Sequence, residues 1–363
     1  MQSPTETMRA VVLTGHGGLD RLEYREDMPK PVAGPCQLVI KIAACGLNNT
    51  DVNTRTAWYS KAVREATTDS IHGDDDDAAW GGRAIAFPHI QGADIAGYVE
   101  QVGEGADPAF KGKRVLVDPW LRDWDNPYQK DKMGYVGSEC HGGFAEYIAI
   151  DYRQVHMVTS DLSDRELATF PTAYITAENM LTRAQVGAGD SVLIPGASGG
   201  VGSALIQLAH RRGAKTIAIA ARAKIDQLAA LAPTAIIARE DPDPAAALVR
   251  EAGLERVSVL ADVVGGESWS GWLELLAQGG RFTSAGAIAG PIVQFDLRTF
   301  YLNDLTFTGA TTTPPDLFAN LAGYIERGEI RPLLAGAFPL EDLAHAQSAF
   351  LAKRHVGNFV VTP

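Results

Sequence analysis

The stretch Gly196-Ala197-Ser198-Gly199-Gly200-Val201-Gly202 constrains this chain more than any other. It follows a short apolar strand, Ser191–Pro195, and opens a segment, 200–212, whose apolar residues Val201, Leu205, Leu208 and Ala209 recur at helical spacing. A turn this tight needs residues free of Cβ constraints, and a backbone that approaches a pyrophosphate must be bare. The helix that follows offers free N–H groups and the positive end of its dipole to phosphate oxygens. Glycines in this pattern mean little alone. Between a strand and a helix they predict a dinucleotide-binding turn, the plainer reading being a tight strand–helix turn without a ligand.

The surroundings support that reading. After the first strand and helix come a strand at 216–220, a helix at 223–231, a strand at 234–238, a helix at 243–252, a strand at 257–264, a helix at 267–277 and a strand at 281–285. Such alternation predicts a doubly wound parallel sheet. The first 150 residues differ: short strands at 9–14, 37–44, 94–102, 114–118 and 144–150 are separated by turns at Gly103, Gly105, Pro108 and Gly112. They predict an antiparallel, barrel-like β domain. The tail shows helices at 316–327 and 340–353 around a break at Gly328 and Pro332, then a strand at 358–361 that returns to the first domain. The expected division is 1–165, 166–305 and 306–363, in an α/β chain.

At the end of the second strand of the alternating region, an NAD-selective site would place Asp or Glu to hold the ribose 2′-OH. Here the residues are Ala220-Ala221-Arg222-Ala223-Lys224, and no carboxylate precedes Asp226. Arg222 and Lys224 suit a 2′-phosphate, so NADP is the expected cofactor; the plainer reading is two surface cations.

Composition narrows the rest. The net charge of −12 disfavours a nucleic-acid partner, and the basic pairs Arg211-Arg212 and Lys353-Arg354 read as solvated faces. No apolar run is long enough to span a membrane. The start, Met1 to Thr7, has neither the basic nor the apolar region of a secretory signal, and three cysteines (Cys36, Cys45, Cys140) form no paired framework, so a reducing cytoplasm is expected. The stretch 60–86 reads as a surface loop, and its run Asp74–Asp77 as four mutually repelling carboxylates rather than an ion site. The scattered histidines share no ligand spacing, and Cys45 reads as a small core residue at a strand end.

With these residues in hand, the chain resembles the medium-chain dehydrogenase/reductases. The resemblance rests on Met8-Arg9-Ala10-Val11, the block CGLNNTD at 45–51, Gln91 to Gly97 followed by Val99 to Gly103, Gly142 to Tyr147, the glycine turn, Asp262 to Gly266, and Ala285-Gly286-Ala287. It implies a GroES-like domain beside a Rossmann domain, the active site between them and a homodimer. It is similar to the zinc-free branch of quinone oxidoreductases and enoyl reductases. Zinc-dependent relatives carry a cysteine where this chain has Asn48, a histidine where it has Ala93, and a third ligand aligned with Thr172. Asn, Ala and Thr do not make a zinc site, which needs about three N, S or carboxylate ligands. A substitute set of Cys45, Asp94 and His141 stays open.

The resemblance then implies an NADP(H)-dependent reductase of an activated C=C bond or a quinone, a small-molecule substrate already electrophilic without a metal. Alternatives are a zinc alcohol dehydrogenase with atypical ligands and a silent NADPH-binding protein. By family position, Asn48 donates to the substrate oxygen, touches the nicotinamide ribose, or simply lines the cavity. Thr50 matches a proton-relaying hydroxyl, and Asp51 orients that group or caps the following helix. Asp94 stands where relatives have Glu, and a structural pairing of it with a buried cation is the competing reading. Trp58 and Tyr59 match substrate-lining aromatics, with Tyr59 the first candidate proton donor. Tyr174 and Thr176 open the helix facing the nicotinamide, while Val263, Ala285, Gly286, Ala287, Thr308, Gly309 and Asn358 complete the expected cofactor contacts.

Overall fold

The structure is a computed structural model that describes residues 6–69 and 77–363. The second half forms the parallel sheet that the alternation predicts. Its six strands run in the order Ala235–Ala238, Lys215–Ala220, Ser191–Pro195, Val257–Asp262, Leu276–Ser284, Thr306–Gly309. Every pairing in it is parallel. The strand order reverses between Ser191–Pro195 and Val257–Asp262, and such a switch point opens a crevice at the carboxyl ends of the strands. The glycine turn sits at that crevice.

The first half is the predicted antiparallel β structure. A seven-stranded sheet is built around Gln37–Gly46, which pairs antiparallel with Asp94–Val102 and Tyr147–Asp151. Leu22–Pro29, Thr7–Leu13 and His89–Ile90 form a smaller sheet beside it. The C-terminal strand Asn358–Thr362 pairs antiparallel with Gln37–Gly46, which brings the end of the chain to the first domain. One apolar core crosses from one half to the other: Ala44, Ala96 and Leu116 pack with Leu167, Phe170 and Ile194. The helix Pro171–Arg183 lies in that seam, with proline at its first turn, where no N–H is needed.

Several elements differ from the sequence reading. The expected helix at 223–231 is three short pieces, Arg222–Lys224, Ile225–Leu228 and Ala229–Leu231, ended by Ala232 in left-handed backbone. The expected helix at 267–277 is only Trp269–Leu273, because Leu276–Ser284 begins pairing early with Val257–Asp262. The strand Leu334–Pro339 was not expected, its glycine and alanines giving little strand signal; it is held by parallel pairing to Asn358–Thr362. The described parts of 60–86 hold no helix or strand, whereas His72, Gly73 and Asp74 to Asp76 of the predicted loop lie outside the described residues.

Neither basic pair is a bare solvated face. Arg211 pairs with Glu329 and stacks over Tyr324, and Arg212 reaches Glu178 at 2.8 Å. Lys353 folds inward toward Asn49, and only Arg354 of that pair is exposed.

Candidate active site

A cleft of about 890 Å³ runs between the two halves. Its cofactor end is the glycine turn. Gly196 has φ +67, a left-handed conformation that L side chains rarely adopt. At Gly202 a Cβ would come within 2.6 Å of Ala197 Cα, so only glycine lets the helix start this close to the strand. Gly199 and Gly200 line the cleft, and a Cβ at Gly199 would meet nothing nearer than Gly196 O at 3.6 Å. This bare backbone at the N-terminus of Gly200–Arg211 fits the phosphates of a dinucleotide. The facing wall comes from the turns after the next strands. Asp262 accepts N–H bonds from Val264 at 2.8 Å and Gly265 at 3.0 Å, shaping the turn that presents Val263 to the cleft. Ala285, Gly286, Ala287 and Ile288 continue that wall, and Ile288 O accepts the N–H of Thr67 from the first domain.

The other end is built on the short helix Asn49–Arg55. Asn48 is its N-cap, and the Asp51 carboxylate turns back to accept the Asn48 backbone N–H at 2.7 Å. That is capping geometry. Asp51 is buried behind the helix start, away from the cleft wall, and burial pushes its carboxyl up to about 8. Thr50, Asn53 and Tyr59 face the cleft. The Tyr59 hydroxyl donates to Thr50 Oγ1 at 2.9 Å, and burial pushes the phenol up to about 12, so it keeps its proton throughout the neutral range.

The three positions that the resemblance aligns with zinc ligands, Asn48, Ala93 and Thr172, carry a different device. Asn48 Nδ2 donates to Asp94 Oδ2 at 2.6 Å, and Asp94 Oδ1 accepts the Thr172 backbone N–H at 2.6 Å. Tyr135 donates to Thr172 Oγ1 at 3.2 Å, and Ala93 is fully buried. Burial raises the Asp94 carboxyl to about 6 against these hydrogen bonds. An amide whose N–H₂ points at a carboxylate, a threonine and an alanine do not fit zinc. Among the described residues no three His, Cys, Asp or Glu side chains converge on one point, so Cys45, Asp94 and His141 are not brought together as a substitute set. Asp94 has an amide for its partner, not the buried cation of the competing reading.

Several expected contacts lie elsewhere. On Pro171–Arg183, Thr172 and Thr176 are four residues apart and share the face toward the cleft. Tyr174 lies on the opposite face, buried, with its hydroxyl donating to Arg331 O at 3.0 Å. Thr308 and Gly309 end the edge strand without reaching the cleft, and the wall there is Ala310 to Thr313. Ala197 and Ser198 belong to the turn but point away from the cleft lining, and Arg222 and Lys224 follow the neighbouring strand Lys215–Ala220 outside it. Asn358 is buried behind the turn, its amide close against Gly200.

Sequence reasoning named Trp58 and Tyr59 but missed the rest of an aromatic chamber. Trp80, from the 60–86 loop, packs edge-on against Trp120 with ring centres 4.7 Å apart and lies 5.5 Å from Tyr135. With Trp58, Tyr59 and Tyr128 these rings line the end of the cleft beyond Asn48. Trp58, Tyr59 and Trp80 come from the segment after the helix Asn49–Arg55, Trp120 and Tyr135 face each other across the two-stranded antiparallel ladder of Trp120–Leu121 and Gly134–Tyr135, and Tyr128 lies between those strands; the one available signal was the density of tryptophan and tyrosine in these segments.

Comparison with known proteins agrees with this architecture. Residues 34–160 match the model of the alcohol dehydrogenase GroES-like domain, and residues 200–327 match that of the zinc-binding dehydrogenases. A solved structure from Sinorhizobium meliloti 1021, provisionally named an alcohol dehydrogenase, is 43% identical with a TM-score of 0.90, covering 100% of this chain and 98% of that one. Rat (Rattus norvegicus) quinone oxidoreductase is 26% identical, covering 95% of this chain and 94% of its own. The chloroplastic NADPH-dependent alkenal/one oxidoreductase of Arabidopsis thaliana is 26% identical, covering 98% of this chain and 80% of its own.

Proposed function

Because this chain belongs to the medium-chain dehydrogenase/reductase superfamily, in its quinone oxidoreductase-like branch, we propose that it is an NADPH-dependent, zinc-independent reductase of activated C=C bonds (enones and enals) or quinones. The observation that carries the reading is the Asn48–Asp94–Thr172 cluster at the place where zinc relatives polarise their substrate. Without a Lewis acid, hydride must go to a carbon made electron-poor by the substrate's own conjugation. NADPH supplies that hydride when bound in the cleft at Gly196, Gly199, Gly200 and Gly202. Asp94 takes one amide hydrogen of Asn48 and so orients the group, leaving the other to steady the oxygen on which negative charge develops. Thr50 and Tyr59 hold a proton beside that oxygen. Trp58, Trp80 and Trp120 offer flat faces to a planar conjugated substrate and keep water out.

Replacing Tyr59 with phenylalanine removes the held proton but keeps the ring. The expected result is a fall in kcat of about 10²-fold or more, with NADPH affinity unchanged. Stopped-flow single turnovers check this; a kcat within twofold of the parent removes Tyr59 from the chemistry.

Arg222 and Lys224 support NADPH over NADH, as does the NADPH dependence of the Arabidopsis relative. The double variant Arg222→Ala/Lys224→Ala is expected to weaken NADPH about 10²-fold while changing NADH little. A parent enzyme that prefers NADH defeats this part of the reading.

The decisive experiment measures NADPH consumption against quinones, enones, enals and secondary alcohols, with metal analysis of the same sample. Turnover of the first three without stoichiometric zinc supports the proposal. Alcohol oxidation that tracks bound zinc points to a zinc alcohol dehydrogenase with atypical ligands, and NADPH binding with no turnover points to a silent binding protein. We also infer a homodimer in the cytoplasm. The edge strand Thr306–Gly309 lies beside exposed Leu297, Tyr301 and Leu302, a face suited to a second copy, and light scattering should return twice the chain mass.

A further inference from the structure

The rings beyond Asn48 are fixed in place by one carboxylate. Glu139 Oε1 accepts the Gly81 N–H at 2.6 Å, and Glu139 Oε2 accepts the Tyr135 N–H at 2.7 Å. The neighbouring Ser138, buried, accepts the Trp80 N–H on Oγ at 2.9 Å. The segment carrying Trp80 and the strand Gly134–Tyr135 are thus tied through a single side chain. Two glycines make room for it. A Cβ at Gly81 would come within 2.9 Å of Glu139 Oε1, and a Cβ at Gly134 within 2.9 Å of Glu139 Cβ and Cγ. Arg83 adds a further tie by donating to Met133 O at 2.9 Å, while its own carbonyl accepts the Ala79 N–H at 2.9 Å and closes the turn around Trp80. Backbone N–H bonds to a carboxylate are of the strong, charge-assisted kind, so Trp80 stands at a fixed place against Trp120 and Tyr135.

What the rings enclose has a definite chemistry. Trp80 meets Trp120 at 86°, Trp120 meets Tyr135 at 79° and Trp58 meets Tyr59 at 77°. Rings that meet edge to face leave flat surface uncovered, on which another ring can stack or abut. Among the described residues that line the cleft there is no Asp, Glu, Lys, Arg or His. Arg83 and Glu139 spend their charges on backbone groups outside that lining. An ionised group brought among these rings would lose its water and find no partner. A substrate no larger than its reacting C=C bond and carbonyl ends at Asn48 and Tyr59 and leaves the rings beyond to water.

We propose that the substrate carries an uncharged aryl group conjugated with the reacting C=C bond, that this group seats among Trp58, Trp80, Trp120 and Tyr135, and that Glu139 is the positioning residue that holds Trp80 as a wall of the seat. The seat rests on the reading of the cleft as that of an NADPH-dependent reductase of activated C=C bonds, and it narrows the substrates of that enzyme. A hydride from NADPH forms the new C–H bond at the β-carbon, and the C=C electron pair moves toward the carbonyl oxygen. One proton, replaced from solvent, then completes the saturated carbonyl product beside NADP⁺.

The test compares three enones on the whole protein with NADPH. They are benzylideneacetone, its cyclohexyl analogue, which is as bulky and apolar but not flat, and its para-carboxy derivative. In the parent, kcat/KM should favour benzylideneacetone over the cyclohexyl analogue about tenfold, mostly through KM. The para-carboxy derivative should fall about 10²-fold or more below benzylideneacetone. Trp80→Leu should bring the ratio of aryl to cyclohexyl close to one. Glu139→Ala should do the same, and Glu139→Gln, which keeps one of the two acceptor oxygens, should retain part of the ratio. A purely structural role for Glu139 would lower both substrates together and leave the ratio where it was.

The seat is overturned if the parent handles the aryl and cyclohexyl enones within twofold of each other, or takes the carboxylate as readily as benzylideneacetone. A parent-like ratio in Glu139→Ala removes Glu139 from its positioning role. Calorimetric titration with the same two neutral enones, in the presence of NADP⁺, reads the seat without turnover. Should both be reduced with no aryl preference, the seat fails while the enone reductase reading stands. Should neither be reduced, that reading fails and the titration decides the seat: a Kd about tenfold lower for benzylideneacetone keeps it, and equal or absent binding removes it.

Discussion

Replacing Gly202 with valine is expected to leave a protein that no longer binds NADPH at micromolar concentration. The Cβ would sit within 2.6 Å of Ala197 Cα and 2.9 Å of the Ala197 carbonyl carbon, both of them backbone atoms. Backbone cannot rotate away, so the helix must retreat from the strand and its N–H groups leave the phosphates. Overpacking of this kind costs about 1–3 kcal/mol of stability. The loss of binding is larger, about 10²-fold or more, because helix terminus and turn act as one anion site. Gly199→Ala is the companion variant. Its φ of −82 suits any residue and its Cβ has room, so the melting temperature should not move, while the methyl group enters the cleft where a phosphate would lie. A binding titration by nucleotide fluorescence and a thermal melt on both proteins check this. If Gly202→Val binds NADPH normally, the turn is a packing feature and the cofactor assignment is wrong.

The second large effect is expected at Asn48. Asn48→Ala should lower kcat by about 10²–10³, the usual cost of losing one donor to a developing oxyanion, with NADPH affinity little changed. The same substitution strips Asp94 of a side-chain partner, leaving the Thr172 groups to hold its buried carboxylate. That costs about 1–3 kcal/mol, and its pH dependence has a definite sign. The folded pKa of Asp94, already raised to about 6 by burial, rises further in the variant. A carboxyl with a raised folded pKa takes stability away as pH rises from its unfolded value through its folded one. The variant should therefore melt close to the parent at pH 5 and several degrees below it at pH 8. A kcat unaltered in Asn48→Ala would reduce the Asn48–Asp94 pair to a structural hydrogen bond.

The legible parts of this protein were those set by local chemistry. Strand, glycine turn and helix lie within about twenty residues, and the conformations that glycine permits are properties of the turn itself. The alternation of strands and helices follows from side-chain periodicity, so the parallel sheet could be read before any coordinate was known. That Asn48, Ala93 and Thr172 stand where the resemblance places zinc ligands was also legible, because chemical identity does not depend on fold. Periodicity misled where pairing outweighed it, as at 267–277, where a neighbouring strand captured residues with helical spacing.

What the chain reveals only when folded is which distant groups share a space. Tyr174 and Thr176 are equivalent as letters near a helix start, but packing across the seam sends one to the core and the other to the cleft. The rings of Trp80, Trp120 and Tyr135 meet because Trp120 and Tyr135 are partners in a short antiparallel ladder and the loop carrying Trp80 packs onto them. Lys353 looked like half of a solvated pair until the return of the C-terminal strand carried it to Asn49, 304 positions away. A sequence specifies such neighbours through the whole of its packing, in which every segment competes for burial at once, and no local pattern records the outcome.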